Sequence, residues 1–144
     1  MFTKIVVAVD GSKQANNALR IACDITKHYD SEIQIVHTPQ VDTAALAMGA
    51  SAYMIEATMD QIIDAGQTVA KEATALAIEC GVKPTSTVLG RGGPSEEVLN
   101  VVNGVFADLI VCGRRSLGNL STHILGSTSK KISHDADCAV LTVK

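Results

Sequence analysis

The chain has 144 residues, of which 47% are hydrophobic and 19% charged, with a net charge of −3. This fits one ordinary domain with a core of its own and excludes a disordered chain. The acidic balance also excludes nonspecific nucleic-acid binding and a polybasic membrane surface. No apolar run approaches the ~18 residues of a membrane span, and no signal peptide is legible.

Aromatic residues are only 3% of the chain. The core must therefore be built from Val, Ile, Leu and Ala, as in a parallel sheet covered by helices on both faces. The first run, Lys4 to Val9, is short, β-branched and apolar, and reads as a strand buried on both faces. Asp10-Gly11-Ser12 ends it, and Ser12 can cap a helix from Lys13 to about Lys27. Within that helix Ala15, Ala18, Leu19 and Ala22 recur at helical spacing. Glu32 to Thr38 is the second strand, stopped by Pro39.

Residues 40–52 are small and rich in Ala and Gly, the composition of a mobile loop. A long helix is expected from about Tyr53 to Cys80, ended by Gly81. Thr85 to Leu89 is a more polar strand that suits a sheet edge. Gly90 to Gly93 form a loop, Pro94 suits a first helical turn, and a helix follows from Ser95 to Asn103. Ala107 to Cys112 is the fourth strand, and Gly113 to Leu125 a loop containing glycine. A last helix starts at Gly126-Ser127 and ends near His134, and Cys138 to Val143 is the fifth strand.

Alternating strands and helices predict right-handed crossovers and a doubly wound, five-stranded parallel α/β sheet in a single domain, 1–144. Such sheets bind ligands beyond the carboxyl ends of their strands, where the strand order reverses. That rule selects Asp10, His37-Thr38 and the segment from Gly113 onward.

The most informative segment reads Gly113-Arg114-Arg115-Ser116, then nine residues, then Gly126-Ser127. A glycine at a strand end lets backbone N–H groups approach an anion. A helix starting at Gly126-Ser127 aims free N–H groups and a positive dipole end at the same place. The Ser127 hydroxyl adds a donor, and Arg114 and Arg115 lie beside it. Plainer readings stand next to these. Asp10 can shape a turn, Gly113 can end a strand, Gly126-Ser127 can cap a helix, and Thr38 can end its strand. The arginines are often simply solvated, and His37 reads as a packed core histidine.

The opening Ile5-Val6-Val7-Ala8-Val9-Asp10-Gly11-Ser12, the stretch Ala107 to Gly113 and the final loop and strand give the chain a resemblance to the universal stress protein family over its whole length. The ATP-binding branch of that family carries Gly-x-x-Gly-x9-Gly-Ser/Thr, and the spacing here matches. The resemblance implies a flavodoxin-like, Rossmann-like fold with strand order 3-2-1-4-5. It implies homodimers that often pair through the last strand, and ATP with its phosphates on Gly113, Gly126 and Ser127. It places Asp10 near the ribose, the triphosphate and a metal such as Mg2+, and Thr38 near the adenine. Arg114 and Ser116 complete the expected nucleotide-binding set. Ser116 departs from the pattern by replacing the second motif glycine. If that position needs a left-handed backbone, the serine costs about 1–2 kcal/mol and weakens binding without abolishing it.

No base, metal and charge clamp arranged for in-line phosphoryl transfer is legible, and no P-loop ending in Gly-Lys-Ser/Thr is present. The leading expectation is therefore a regulatory adenine-nucleotide-binding protein acting in stress response. A slow ATPase or nucleotide-transfer enzyme and a nucleotide-free dimeric scaffold are the alternatives. Cys23, Cys80, Cys112 and Cys138 are widely spaced and form no C-x-x-C. They suggest neither zinc nor dithiol chemistry and fit a reducing, cytoplasmic setting.

Overall fold

In the computed structural model, the residues described are 1–40, 52–114 and 126–144, with 52–58 described as backbone only. The strands are β1 (Lys4–Val9), β2 (Glu32–His37), β3 (Ser86–Leu89), β4 (Leu109–Gly113) and β5 (Ala139–Val143). The helices among the described residues are α1 (Lys13–Tyr29), α2 (Ala52–Glu79), α3 (Pro94–Val105) and α4 (Ser127–Asp135). The sheet has five strands in the order β3-β2-β1-β4-β5, all paired in parallel. This is the expected doubly wound topology, and β3 does lie at an edge. The expected loop at 40–52 falls mostly outside the described residues.

The strands read as continuous apolar runs because each side of the sheet is covered. Ile5, Val7 and Val9 of β1 face Ala15, Ala18, Leu19 and Ala22 of α1 and Ala73 and Ala77 of α2 in one cluster. Val6 of β1, with Val36 and Ile110, faces Val98 and Val102 of α3 and Ile132 of α4 in the other. Alternate side chains along one strand thus enter different cores.

The turn after β1 is set by local chemistry. The Ser12 N–H donates to Asp10 Oδ1 at 2.9 Å, Gly11 takes φ +79°, and Ser12 Oγ caps α1 by accepting from the Ala15 N–H at 3.2 Å. Helix ends at the opposite edge close with left-handed residues. At the end of α2, Val82 N–H donates to Ala77 O and Gly81 N–H to Ile78 O, both at 2.9 Å, with Gly81 at φ +80°. At the end of α3 the same pattern places Phe106 at φ +55°, with Ala107 N–H donating to Val102 O at 3.0 Å. The sequence reading stopped this helix at Asn103. It continues through Gly104 to Val105 and stops instead on an aromatic residue, 84% exposed, in a conformation that favours glycine.

Candidate functional site

A cleft opens beyond the carboxyl ends of β1, β2 and β4, where the strand order reverses. Its floor is Ala8, Val9, Val36 and Cys112. Asp10, Thr38 and Gln40 follow the strands into it. Its walls are the first turns of three helices: Ala15 of α1, Pro94 and Val98 of α3, and Gly126 to Ser129 at the start of α4.

Five of the residues chosen from sequence meet here: Asp10, Thr38, Gly113, Gly126 and Ser127. Arg114 does not line the cleft; its backbone N–H donates to Val143 O at 2.6 Å and ties β4 to β5. Ser116 and Arg115 lie outside the described residues. His37 is the packed histidine expected, buried with Nδ1 donating to Val9 O at 2.8 Å.

Gly113 has a reason the motif does not supply. A Cβ there would sit 2.7 Å from the Ala15 nitrogen and 2.8 Å from the Gln14 carbonyl carbon, so only glycine lets β4 end against the first turn of α1. The same close approach draws α1, β1 and β4 into one rim. Gly90 plays a similar part beside Thr38. A Cβ at Gly90 would lie 2.5 Å from Thr38 Oγ1, and the Gly90 N–H donates to His37 O at 2.7 Å.

Two features of the cleft are incomplete in hydrogen bonding. Thr38 is only 6% exposed, and its hydroxyl oxygen is buried with no partner among the described residues. A buried unpaired hydroxyl costs about 1–3 kcal/mol, which a ligand polar group would recover. The second feature is the start of α4. Its N-cap is Gly126 and no side chain caps it, unlike α1 with Ser12. First-turn amides and the positive dipole end therefore face the cleft.

Among the described residues that line the cleft, the charged side chain is Asp10. An anion would thus be held by backbone amides and the hydroxyls of Ser127 and Thr128, without a described cation. Burial pushes the Cys112 thiol up to about 11, so the floor is neutral at physiological pH. Lys131 of α4 pairs with Glu96 of α3. That bond holds the Glu96 carboxyl below its usual range and the Lys131 ammonium above its own, and it couples two of the helices that wall the cleft. Among the described residues, no group of three or more His, Cys, Asp or Glu gathers to hold a metal. Asp10 alone would hold one, together with ligand phosphates.

The sequence reading missed Gln40, Cys112, Thr128 and Ser129 as cleft residues. The Ser127-Thr128-Ser129 run at a helix start was the available signal for Ser129. Cys112 had none, because an apolar strand end reads as core.

The model of the universal stress protein family matches residues 1–144. The universal stress protein YxiE of Bacillus subtilis is 32% identical, with 100% of both chains covered. The universal stress protein MJ0531 of Methanocaldococcus jannaschii is 30% identical over 100% of this chain and 83% of that protein. Among solved structures, a universal stress protein from Archaeoglobus fulgidus superposes with a TM-score of 0.78 at 22% identity, covering 100% of each chain. A universal stress protein in complex with cAMP matches with a TM-score of 0.73 at 23% identity, covering 99% of this chain and 97% of that one. One from Archaeoglobus fulgidus in complex with dAMP matches at 0.72 and 21% identity, covering 99% and 98%.

Proposed function

This chain belongs to the universal stress protein family, and from that premise we propose that it is a regulatory adenine-nucleotide-binding protein acting in stress response. The observation that carries the reading is the pairing, across one cleft, of an uncapped helix start with a buried hydroxyl that has no partner among the described residues. Phosphates sit at the Gly126–Ser129 amides, and the base lies against Thr38. The ligand is ATP or a close adenine relative. Asp10 and the phosphates share Mg2+, because this ion keeps several waters and needs few protein carboxylates. Gly113 shapes the rim between them, and Arg114 and Ser116 belong to the phosphate loop that follows. The cAMP and dAMP complexes of proteins with this fold support an adenine ligand.

The proposed role is binding and not turnover. A single carboxylate with backbone donors supplies half of what phosphoryl transfer needs. Occupancy would act by differential affinity for two states of a partner surface. That surface is a homodimer joined through β5, an edge strand whose Leu141 is exposed. The protein works in the cytoplasm. Titration calorimetry with ATP, with and without Mg2+, tests the reading. One site per chain, strengthened by Mg2+ and lost on Ser127→Pro, is expected. No heat at millimolar ATP overturns it.

A further inference from the structure

Cys23 and Cys80 stand 57 positions apart in the sequence, and the fold brings them together. Cys23 lies on the inner face of α1 and is fully buried. Cys80 is the first residue past α2, half-buried, and packs on the same apolar cluster. An Arg20 guanidinium N–H donates to Cys80 Sγ at 3.9 Å. Arg20 and Cys23 are one helical turn apart on α1, so Cys80 sits against that turn.

We propose that Cys80 and Cys23 form a redox pair that closes to a disulfide when the protein meets hydrogen peroxide. Cys80 is the thiol that solvent reaches. Its sulfur attacks one peroxide oxygen, the S–O bond forms as the O–O bond breaks, and the displaced hydroxide takes the thiol proton to leave as water. The Cys23 sulfur then attacks the sulfenic sulfur of Cys80. The S–S bond forms, the S–O bond breaks, and the Cys23 proton leaves with the hydroxide as a second water. Two thiols lose two electrons in total and the peroxide gains them.

Position decides the order of events. The Cys23 thiol is fully buried in the same cluster as Cys80 and is pushed up to about 11, chiefly by burial, so it is protected from direct attack and reacts only with its neighbour. Closure needs a small shift of Cys80. The next residue, Gly81, is left-handed and has open space around its Cα, so the chain there can adjust. Cys112 is buried in the cleft floor and Cys138 packs in the opposite core, so neither competes for Cys80. The bond would tie α1 to the end of α2 at the edge of the sheet opposite the cleft.

The test is hydrogen peroxide at stoichiometric amounts on the reduced full chain, followed by intact-mass analysis and peptide mapping. The expected product is about 2 Da lighter, with peptides carrying Cys23 and Cys80 joined, and it reverts with a thiol reductant. Its unfolding midpoint rises. The double variant Cys112→Ser/Cys138→Ser gives the same product, and Cys23→Ala does not. A Cys80 about 32 Da heavier with no joined peptide overturns the proposal. So does a disulfide between two chains through Cys80, or a chain whose thiols stay unchanged. Mapping of the unaltered protein decides the matter even if Cys23→Ala does not fold.

Discussion

The two edges of the sheet differ in where they leave polar groups open. At the amino edge most are used up within the protein, although the buried Thr26 hydroxyl near the end of α1 also has no partner among the described residues. Asp108 Oδ2 accepts from the Thr3 N–H at 2.8 Å, the Thr3 hydroxyl at 2.5 Å and the Lys4 N–H at 2.9 Å. Lys4 Nζ donates to Val105 O at 3.0 Å, and Ser31 Oγ to Phe2 O at 2.5 Å. At the carboxyl edge a buried threonine hydroxyl has no partner among the described residues, and a helix start has no side-chain cap. Both edges have backbone turns and charged residues. What sets the carboxyl edge apart is that its open hydroxyl and its uncapped helix start line one cleft, where natural structures otherwise satisfy such groups.

The largest way to break this contrast is Gly113→Val. Its new side chain meets the backbone of Gln14 and Ala15, so either β4 or α1 must move. A loss of about 2 kcal/mol in urea unfolding is expected, together with loss of nucleotide binding, because the rim is displaced. Thr38→Val sharpens the contrast by separating stability from binding. Removing an unpaired buried hydroxyl should raise stability by about 1 kcal/mol. The same change should weaken ATP about tenfold in calorimetry. A hydroxyl that mattered only for folding would instead lose stability and leave affinity alone.

Phe106→Gly probes the amino edge in isolation. It relieves a left-handed aromatic that is almost fully exposed. Denaturant unfolding should show a gain of about 1 kcal/mol, with ATP affinity unchanged. The smallest effect is expected from Asp108→Asn, which keeps an acceptor oxygen. Hydrogen bonds from Thr3 and then Lys4 hold the Asp108 carboxyl below its ordinary 3.8. A lowered carboxyl contributes stability above that ordinary value and loses it as pH falls through the folded value. Thermal unfolding of protein and variant should therefore differ slightly at neutral pH and converge in acid below about pH 3.8.

The architecture was legible because buried parallel strands must be apolar and β-branched, and their turns carry Gly, Ser and Asp. Ser12 as a cap, Pro94 at a helix start and the polar edge strand β3 follow from local chemistry alone. The end of α3 was less legible: the helix runs past Asn103 through Gly104 to Val105, and Phe106 takes the left-handed position. In the site, strand ends gave Asp10, Thr38 and Gly113, and the glycine spacing gave Gly126 and Ser127. The physical reason for Gly113 was hidden, because it depends on α1 approaching from about 100 residues away in the chain. The meeting of Cys23 and Cys80 was hidden likewise, since no local spacing encodes a contact between two helices.

The most direct measurement is a map of backbone amide shifts on titrating the full chain with ATP and Mg2+. Shifts should centre on Thr38, Gly113 and the Gly126–Ser129 amides, with Thr3, Lys4 and Asp108 unmoved. Amides at the carboxyl edge that stay still at millimolar nucleotide, or shifts centred on the amino edge, would contradict the assignment of the cleft.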